Sequence, residues 1–292
     1  MFVIGLILHP SKELTRDQLF EPIVQFPETV VPGAPVVVKN DEDLKNILIG
    51  SDKMSAISQN KYLIGTAPLY GTSHLMIVGT WKTRTLNWLA AQFFHPQLDY
   101  FKKVIQIDHP KLVEAPQLRI PSSTWEKMDE SYELQKENEK KIMRELLEQW
   151  HGELRDICWM MPIESKVVSS FASPRTLPNG KSYYHSGVDM RALVPTEIRS
   201  PASGRVVFAK KMIVPGNILV IDHGGGFFTR FMHLSEFLVS EGDKVKPQQK
   251  IALTGATGRV EAPHLHWEVI WKGNHVDPFL FLQALEPICD QE

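Results

Sequence analysis

The sequence predicts a mainly β protein in two parts joined by a helical arm. Three observations carry this. Short, apolar, β-branched runs separated by turn signals fill residues 24–107. A proline-bearing stretch follows, and then a run whose apolar residues recur at spacings of three and four. From Cys158 onward, short strands with glycine-rich turns return, with no helical period. The expected division is an N-terminal β-sandwich over 1–110, a linker and helical arm over 111–153, a β domain over 154–285 and a tail over 286–292.

In the first part, Val30-Val31, Val36–Val38 and Asn46–Ile49 read as strands, with Pro32-Gly33 and Asn40-Asp41 as the turns between them. Tyr62–Gly65, His74–Val78 and Tyr100–Ile107 continue the series, with Pro68–Gly71 as a turn. Several short strands at this spacing suggest a small sandwich of immunoglobulin-like type. Leu86–Phe94 reads as a helix inserted in it, its Trp88, Phe93 and Phe94 packing in the core. The apolar start, Phe2–Leu8, lacks a basic flank and ends at His9-Pro10. It is too short to span a bilayer, and reads as a signal remnant or as a first strand.

Pro110, Pro116 and Pro121 mark the linker. Ser123–Glu126 is a capping box, in which serine and glutamate satisfy each other's free backbone donors. It opens a helical run to about Trp150, with Trp125, Met128, Tyr132, Ile142, Met143, Leu146, Leu147 and Trp150 on one face. The centre, Gln135–Lys141, is wholly polar. The run is either one helix of roughly 40 Å with a solvated middle or a hairpin broken there.

Beyond Cys158, strands are expected at Arg205–Phe208, Asn217–Ile221, Phe227–Met232, Lys250–Leu253 and Trp267–Ile270, forming an antiparallel sheet with a groove across it. The two cysteines exclude a Cys-based zinc site and a disulfide-dense scaffold. Cys158 and Cys289 bracket this segment, and domain termini often lie close together, so in an oxidising compartment they either pair, tethering the C-terminal tail, or stay as two free thiols. The net charge of −2, with no basic block, argues against a nucleic-acid partner.

The chemistry gathers in His185-Ser-Gly-Val-Asp189 and His264-Leu-His266. On a strand, i and i+2 share a face, so His264 and His266 project together, and an extended first motif puts His185 and Asp189 on one face. These are four groups of the type zinc takes; a catalytic zinc needs three protein ligands and an open position, which leaves one histidine over for proton work. His233, in Phe231-Met-His-Leu-Ser235, lies between the motifs, and the loop Thr254–Gly258 precedes the second.

Residues 159–282, with these motifs in this order, resemble the lysostaphin-type (LytM-like) zinc endopeptidases that cut peptidoglycan cross-links. The resemblance rests on His-x-x-x-Asp, the histidine before Leu-Ser, Gly-x-x-Gly, and His264-Leu-His-Trp-Glu268. It implies that His185, Asp189 and His266 hold one zinc, and that His264 and His233 are catalytic histidines outside the ligand set. Three positions depart from the family pattern: Ala172 and Ala262 stand where glycine is frequent, and Phe231 where tyrosine is common. Proton transfer would fall to histidine, since this pattern offers no glutamate like that of the helix-borne His-Glu-x-x-His proteases. His264 should reach the attacking water, with His233 orienting it or supporting the oxyanion. Glu268 shares the strand face of the pair and reads either as a support for a histidine or as an exposed strand residue. His223 reads as a turn residue and His275 as structural.

The preceding sandwich and arm also look like those of Gram-negative envelope members of the family. The implied setting is therefore the periplasm or cell envelope, with peptidoglycan cross-link peptides as substrate, the D-alanyl–diaminopimelate bond favoured, and envelope proteins as partners through the arm. Two rival functions remain. A non-catalytic activator of cell-wall amidases would be expected to have lost ligands, and all five residues are present here. The hairpin Gly242–Ile251 resembles lipoyl-like and phosphotransferase motifs, which have no need of Asp189.

Overall fold

A computed structural model describes residues 28–39, 44–57, 62–67, 73–81, 100–109, 132–154, 156–177, 180, 182–193 and 195–290. The N-terminal start, the turn at Pro68–Gly71, the segment Leu86–Phe94, the proline linker and the capping box lie outside these residues.

The N-terminal part carries β1 (Thr29–Val30), β2 (Pro35–Lys39), β3 (Leu44–Ile49), β4 (Asp52–Lys53), β5 (Ser55–Ile57), β6 (Tyr62–Thr66), β7 (His74–Trp81) and β8 (Tyr100–Ile107). They form a five-stranded sheet, β1-β8-β7-β3-β4, and a three-stranded sheet, β2-β6-β5. Its core follows from alternation: Val36, Val38, Ile64, Ile77 and Ile105 are buried, while Met76 and Val104 face water. The two-residue β4 and three-residue β5 are too short to leave a period in the sequence.

Helix α1 spans Glu133–Leu147. The polar centre is helical and shows no hairpin break. Of its expected apolar face, Met143 and Leu147 are buried, but Ile142 and Trp150 are exposed. The helix rotates Met143 and Leu147 onto Phe208, Ile218, Val220, Phe228 and Ile270 of the following sheet, which leaves Ile142 outward.

The second part comprises β9 (Val167–Ser169), β10 (Pro174–Thr176), β11 (Ser182–Tyr184), β12 (Val188–Arg191), β13 (Glu197–Arg199), β14 (Gly204–Met212), β15 (Gly216–Gly224), β16 (Phe227–Leu234), β17 (Glu236–Phe237), β18 (Lys244–Val245), β19 (Lys250–Leu253), β20 (His264–Trp271) and β21 (Asn274–Val276). The central sheet runs β18-β14-β15-β16-β20-β12-β9, with β21 also paired to β20, and every pairing in it is antiparallel. Gly224, Gly225 and Gly226 all take positive φ in the β15–β16 turn, a conformation that side-chain-bearing residues resist.

The segment after Cys158 does contain a helix, contrary to the sequence expectation: α2, Pro278–Cys289. Asp277 caps it, accepting from the backbone N–H of Phe279 at 2.9 Å and of Leu280 at 3.3 Å, and Pro278 sits at the first helical position. Phe281, Leu285 and Ile288 are its buried stripe. That stripe is hard to see in the sequence because Phe279–Leu282 is continuously apolar. Phe281 packs on Phe227 and Trp159 at ring separations of 5.2 and 4.8 Å. This fills one face of the sheet, where each fully buried side chain of this size stabilises by about 1.5–3 kcal/mol. The opposite face carries α1 at one end and the polar cluster described below.

The two parts are joined by more than the chain. The Ser55 hydroxyl accepts from the Trp271 indole at 2.9 Å and donates to the Gly225 carbonyl, while the Asp277 N–H donates to the Gly33 carbonyl at 2.9 Å. Cys158 and Cys289 form a disulfide across a sequence separation of 131, tying the end of α2 to the start of the second part. Cys158→Ser should lower stability by about 2–4 kcal/mol through relaxation of the unfolded chain, read as a lower denaturant midpoint with an unchanged fold. A midpoint identical to that of the parent would show that the bridge constrains nothing.

Candidate metal centre

His264 and His266 project from the same face of β20, as the strand period requires. Asp189 lies on the neighbouring β12, directly opposite His266. The first motif is not one continuous strand: it bends at Gly187, and His185 lies just ahead of β12. The bend still brings the His185 ring beside His266. A Cβ at Gly187 would stand 2.4 Å from the Trp267 carbonyl and 2.6 Å from Glu268 Cγ, so the tight passage needs glycine.

His185 Nε2, Asp189 Oδ1 and His266 Nδ1 converge. Nε2 of His185 is 3.1 Å from Oδ1 and 3.0 Å from His266 Nδ1, which is itself 2.8 Å from Oδ1. All three residues are buried. The other imidazole nitrogens are occupied: His185 Nδ1 faces the Ser170 carbonyl at 2.9 Å, and His266 Nε2 faces Glu268 Oε1 at 2.9 Å. These outer partners turn one lone pair of each ring toward the carboxylate oxygen, the donor arrangement a divalent cation fits. Burial alone would push His266 down, but its bonds to Asp189 and Glu268 raise it to about 9. Burial would push Asp189 up, but hydrogen bonds from His185 and His266 hold it far below the usual carboxylate range.

The remaining two histidines of the motif set lie alongside. The His264 ring lies 4.9 Å from that of His233, tilted by 60°, and His264 Nε2 is 3.6 Å from Asp189 Oδ1. His233 is 6.2 Å from the His266 ring and has φ of 64°, a left-handed conformation rare outside glycine. Each donates Nδ1–H to a carbonyl, His264 to Ala262 at 2.8 Å and His233 to Thr257 at 2.9 Å, so that Nε2 is left as the acceptor. Burial, reinforced by the neighbouring His264 and His266, pushes His233 down to about 3. Burial also pulls His264 below the ordinary value, against the charge of Asp189. Both rings are therefore neutral at pH 7.

The structure also assembles groups that the motif spacing did not reveal. Glu268 is fully buried, accepting from Ser186 at 2.6 Å, from His266 and from Arg230. The alternative of an exposed strand glutamate does not hold. Burial would raise its carboxyl, but the Arg230 charge and the His266 bond keep it well below the usual range. Arg175 reaches Asp189 Oδ2 at 3.2 Å. His275, in β21, is half-buried; its Nε2 is shielded from water, has no hydrogen-bond partner among the described residues and lies 4.0 Å from Glu268, and desolvation pushes the ring down to about 4. His223 lies at the end of β15, just before the glycine turn, but is wholly buried, bonded to the Ser203 carbonyl and the Thr229 hydroxyl at 2.8 Å each.

Residues 183–278 match Peptidase family M23. Among curated proteins, the chain is 40% identical over 113 residues to the peptidoglycan DD-endopeptidase ShyB of Vibrio cholerae, a match covering 38% of this chain and 26% of ShyB. It is 40% identical over 119 residues to ShyA, also a peptidoglycan DD-endopeptidase of Vibrio cholerae, covering 40% of this chain and 28% of ShyA. The murein hydrolase activator NlpD of Escherichia coli is 33% identical over 125 residues, covering 42% of this chain and 31% of NlpD. The matches thus span between a quarter and a third of those relatives. A crystal structure of a candidate M23 peptidase from Pseudomonas aeruginosa shares the fold, with a TM-score of 0.62 at 20% identity over 87% of this chain and 95% of that one. Sequence match, sheet and the His185–Asp189–His266 cluster agree that this chain carries a domain of peptidase family M23.

Proposed function

We propose that the chain is a zinc-dependent peptidoglycan endopeptidase that hydrolyses the peptide cross-links of the bacterial cell wall, at the D-alanyl–diaminopimelate bond. The observation that carries this reading is the convergence of two imidazole lone pairs and one carboxylate oxygen, with two further neutral histidines beside them. His185, Asp189 and His266 would hold one zinc per chain. Bound there, zinc supplies Lewis acidity toward the scissile carbonyl and a water whose pKa falls to about 7.

The protein's own groups do the rest. His264 and His233, neutral with Nε2 as acceptor, are the catalytic histidines. One takes the attacking water's proton and, once protonated, gives it to the leaving amine; the other orients the water by accepting a hydrogen bond from it at Nε2. Glu268 holds the His266 tautomer, and Arg230 holds Glu268. Glu268→Gln keeps the shape but loses the charge, and should weaken zinc about 10- to 100-fold in a competitive chelator titration. Unchanged affinity would remove Glu268 from this role.

The N-terminal sheets are read as an immunoglobulin-like sandwich over 1–110, α1 as part of a linker and arm over 111–153, and the catalytic domain as 154–285 with a tail to 292. Support for an envelope or periplasmic setting comes from the curated relatives' names and from the disulfide. No helix among the described residues is long and apolar enough to cross a membrane. The relative named as a murein hydrolase activator motivates the second reading, a non-catalytic activator that meets envelope proteins through the arm. Digestion of purified sacculi decides between them. Loss of cross-links by the chain alone, read as monomeric muropeptides after a subsequent muramidase digest, is expected; solubilisation only when an amidase is added would favour the activator.

A further inference from the structure

A cavity of about 470 Å³ lies between α1 and the sheet face that bears the metal centre. That volume is in the range of small-ligand pockets, roughly 300–1,000 Å³. It adjoins the site on three sides. Met232, in its floor, pairs across the sheet with His266. Tyr183, in its wall, belongs to the strand that leads into His185. Arg259 lies on the loop whose Thr257 carbonyl holds His233 and which leads into His264.

The charges lining the cavity are nearly all committed. Arg230 holds Glu268, Lys136 pairs with Glu133 at 2.8 Å, and Lys140 pairs with Glu137 at 2.5 Å. Glu139 accepts from the Ile213 N–H at 2.9 Å, fastening α1 to the β14–β15 turn. Arg259 differs: its backbone N–H bonds to Val214, but its guanidinium has no hydrogen bond or ion pair among the described residues. A cation left over, among the described residues, in the lining of an otherwise neutralised, methionine-bearing cavity calls for an anion attached to an aliphatic body.

We propose that this cavity is the subsite for the acidic residue of the cross-link peptide, with Arg259 binding its free carboxylate and Met143, Met212 and Met232 packing its aliphatic chain. The assignment rests on the endopeptidase reading. A guanidinium suits a carboxylate through two parallel N–H donors.

The test uses two synthetic cross-linked dimers, identical except that the diaminopimelate carboxylate beside the cleaved bond is free in one and amidated in the other. The full chain should favour the free acid about tenfold or more in kcat/KM, through KM. Arg259→Gln should abolish the preference by weakening the acid alone, and Arg259→Lys should retain part of it. Equal use of both dimers by the parent, a preference that survives Arg259→Gln, or an equal loss on both would overturn the subsite. Calorimetric binding of the same dimers gives the selectivity without turnover. A chain that binds the acid tenfold more tightly yet cleaves neither keeps the subsite and loses the endopeptidase reading.

Discussion

His264→Ala and His233→Ala should each retain about one zinc per chain while losing roughly 100- to 10,000-fold in hydrolysis of a cross-linked muropeptide, the size of a general acid–base contribution. The expectation follows from the anchoring of the two rings. Each is fixed through Nδ1 to a backbone carbonyl, at 2.8 Å for His264 and 2.9 Å for His233. His264 Nε2 stands 3.6 Å from Asp189 Oδ1 and the His233 ring 6.2 Å from that of His266, whereas the donor atoms of His185, Asp189 and His266 lie 2.8–3.1 Å from one another. Removing either ring leaves the donor set intact and takes away a neutral acceptor. Elemental analysis beside initial rates checks both halves of the statement. Loss of zinc in His264→Ala with retention in His266→Ala would reverse the assignment within the His-Leu-His pair.

Asp189→Ala should abolish both zinc and activity. The carboxylate is the only anion among the three donors, and two imidazoles are too few for a catalytic zinc. Asp189 also faces Arg175 at 3.2 Å, so its removal leaves a buried cation beside the site that further disfavours a metal ion. Asp189→Asn separates these effects: it keeps the shape, drops the charge, and should bind zinc far more weakly than the parent without unfolding. Near-stoichiometric zinc in Asp189→Ala would mean that the donors lie elsewhere.

Most of the site was legible in the sequence because strand geometry is local. His264 and His266 share a face by the two-residue period, whereas the first motif, expected to be extended, bends at Gly187, where the chain passes against Trp267 and Glu268. Arg230 and Arg175 were not legible. Each reaches its carboxylate across strands, and only the register of β16 with β20, or the fold of the β10–β11 hairpin, sets those pairs. The long strands β14, β15, β16 and β20 showed themselves as apolar runs, whereas two- and three-residue strands such as β17 and β18 carry no period at all. Helix α2 was masked by an apolar run and by Pro287 within it, although Asp277-Pro278 is a helix-start signal. In α1, the expected apolar face was too broad: the sequence does not say which side meets the sheet, and Ile142 ends exposed.

The most direct test of the metal-dependent reading is a zinc titration of the full chain after removal of bound metal by a chelator. Hydrolysis of a cross-linked muropeptide dimer should be absent in the stripped chain, rise linearly with added zinc and level off at one equivalent per chain. Full hydrolysis by the stripped chain, or stoichiometric zinc uptake with no hydrolysis at any zinc level, would contradict it.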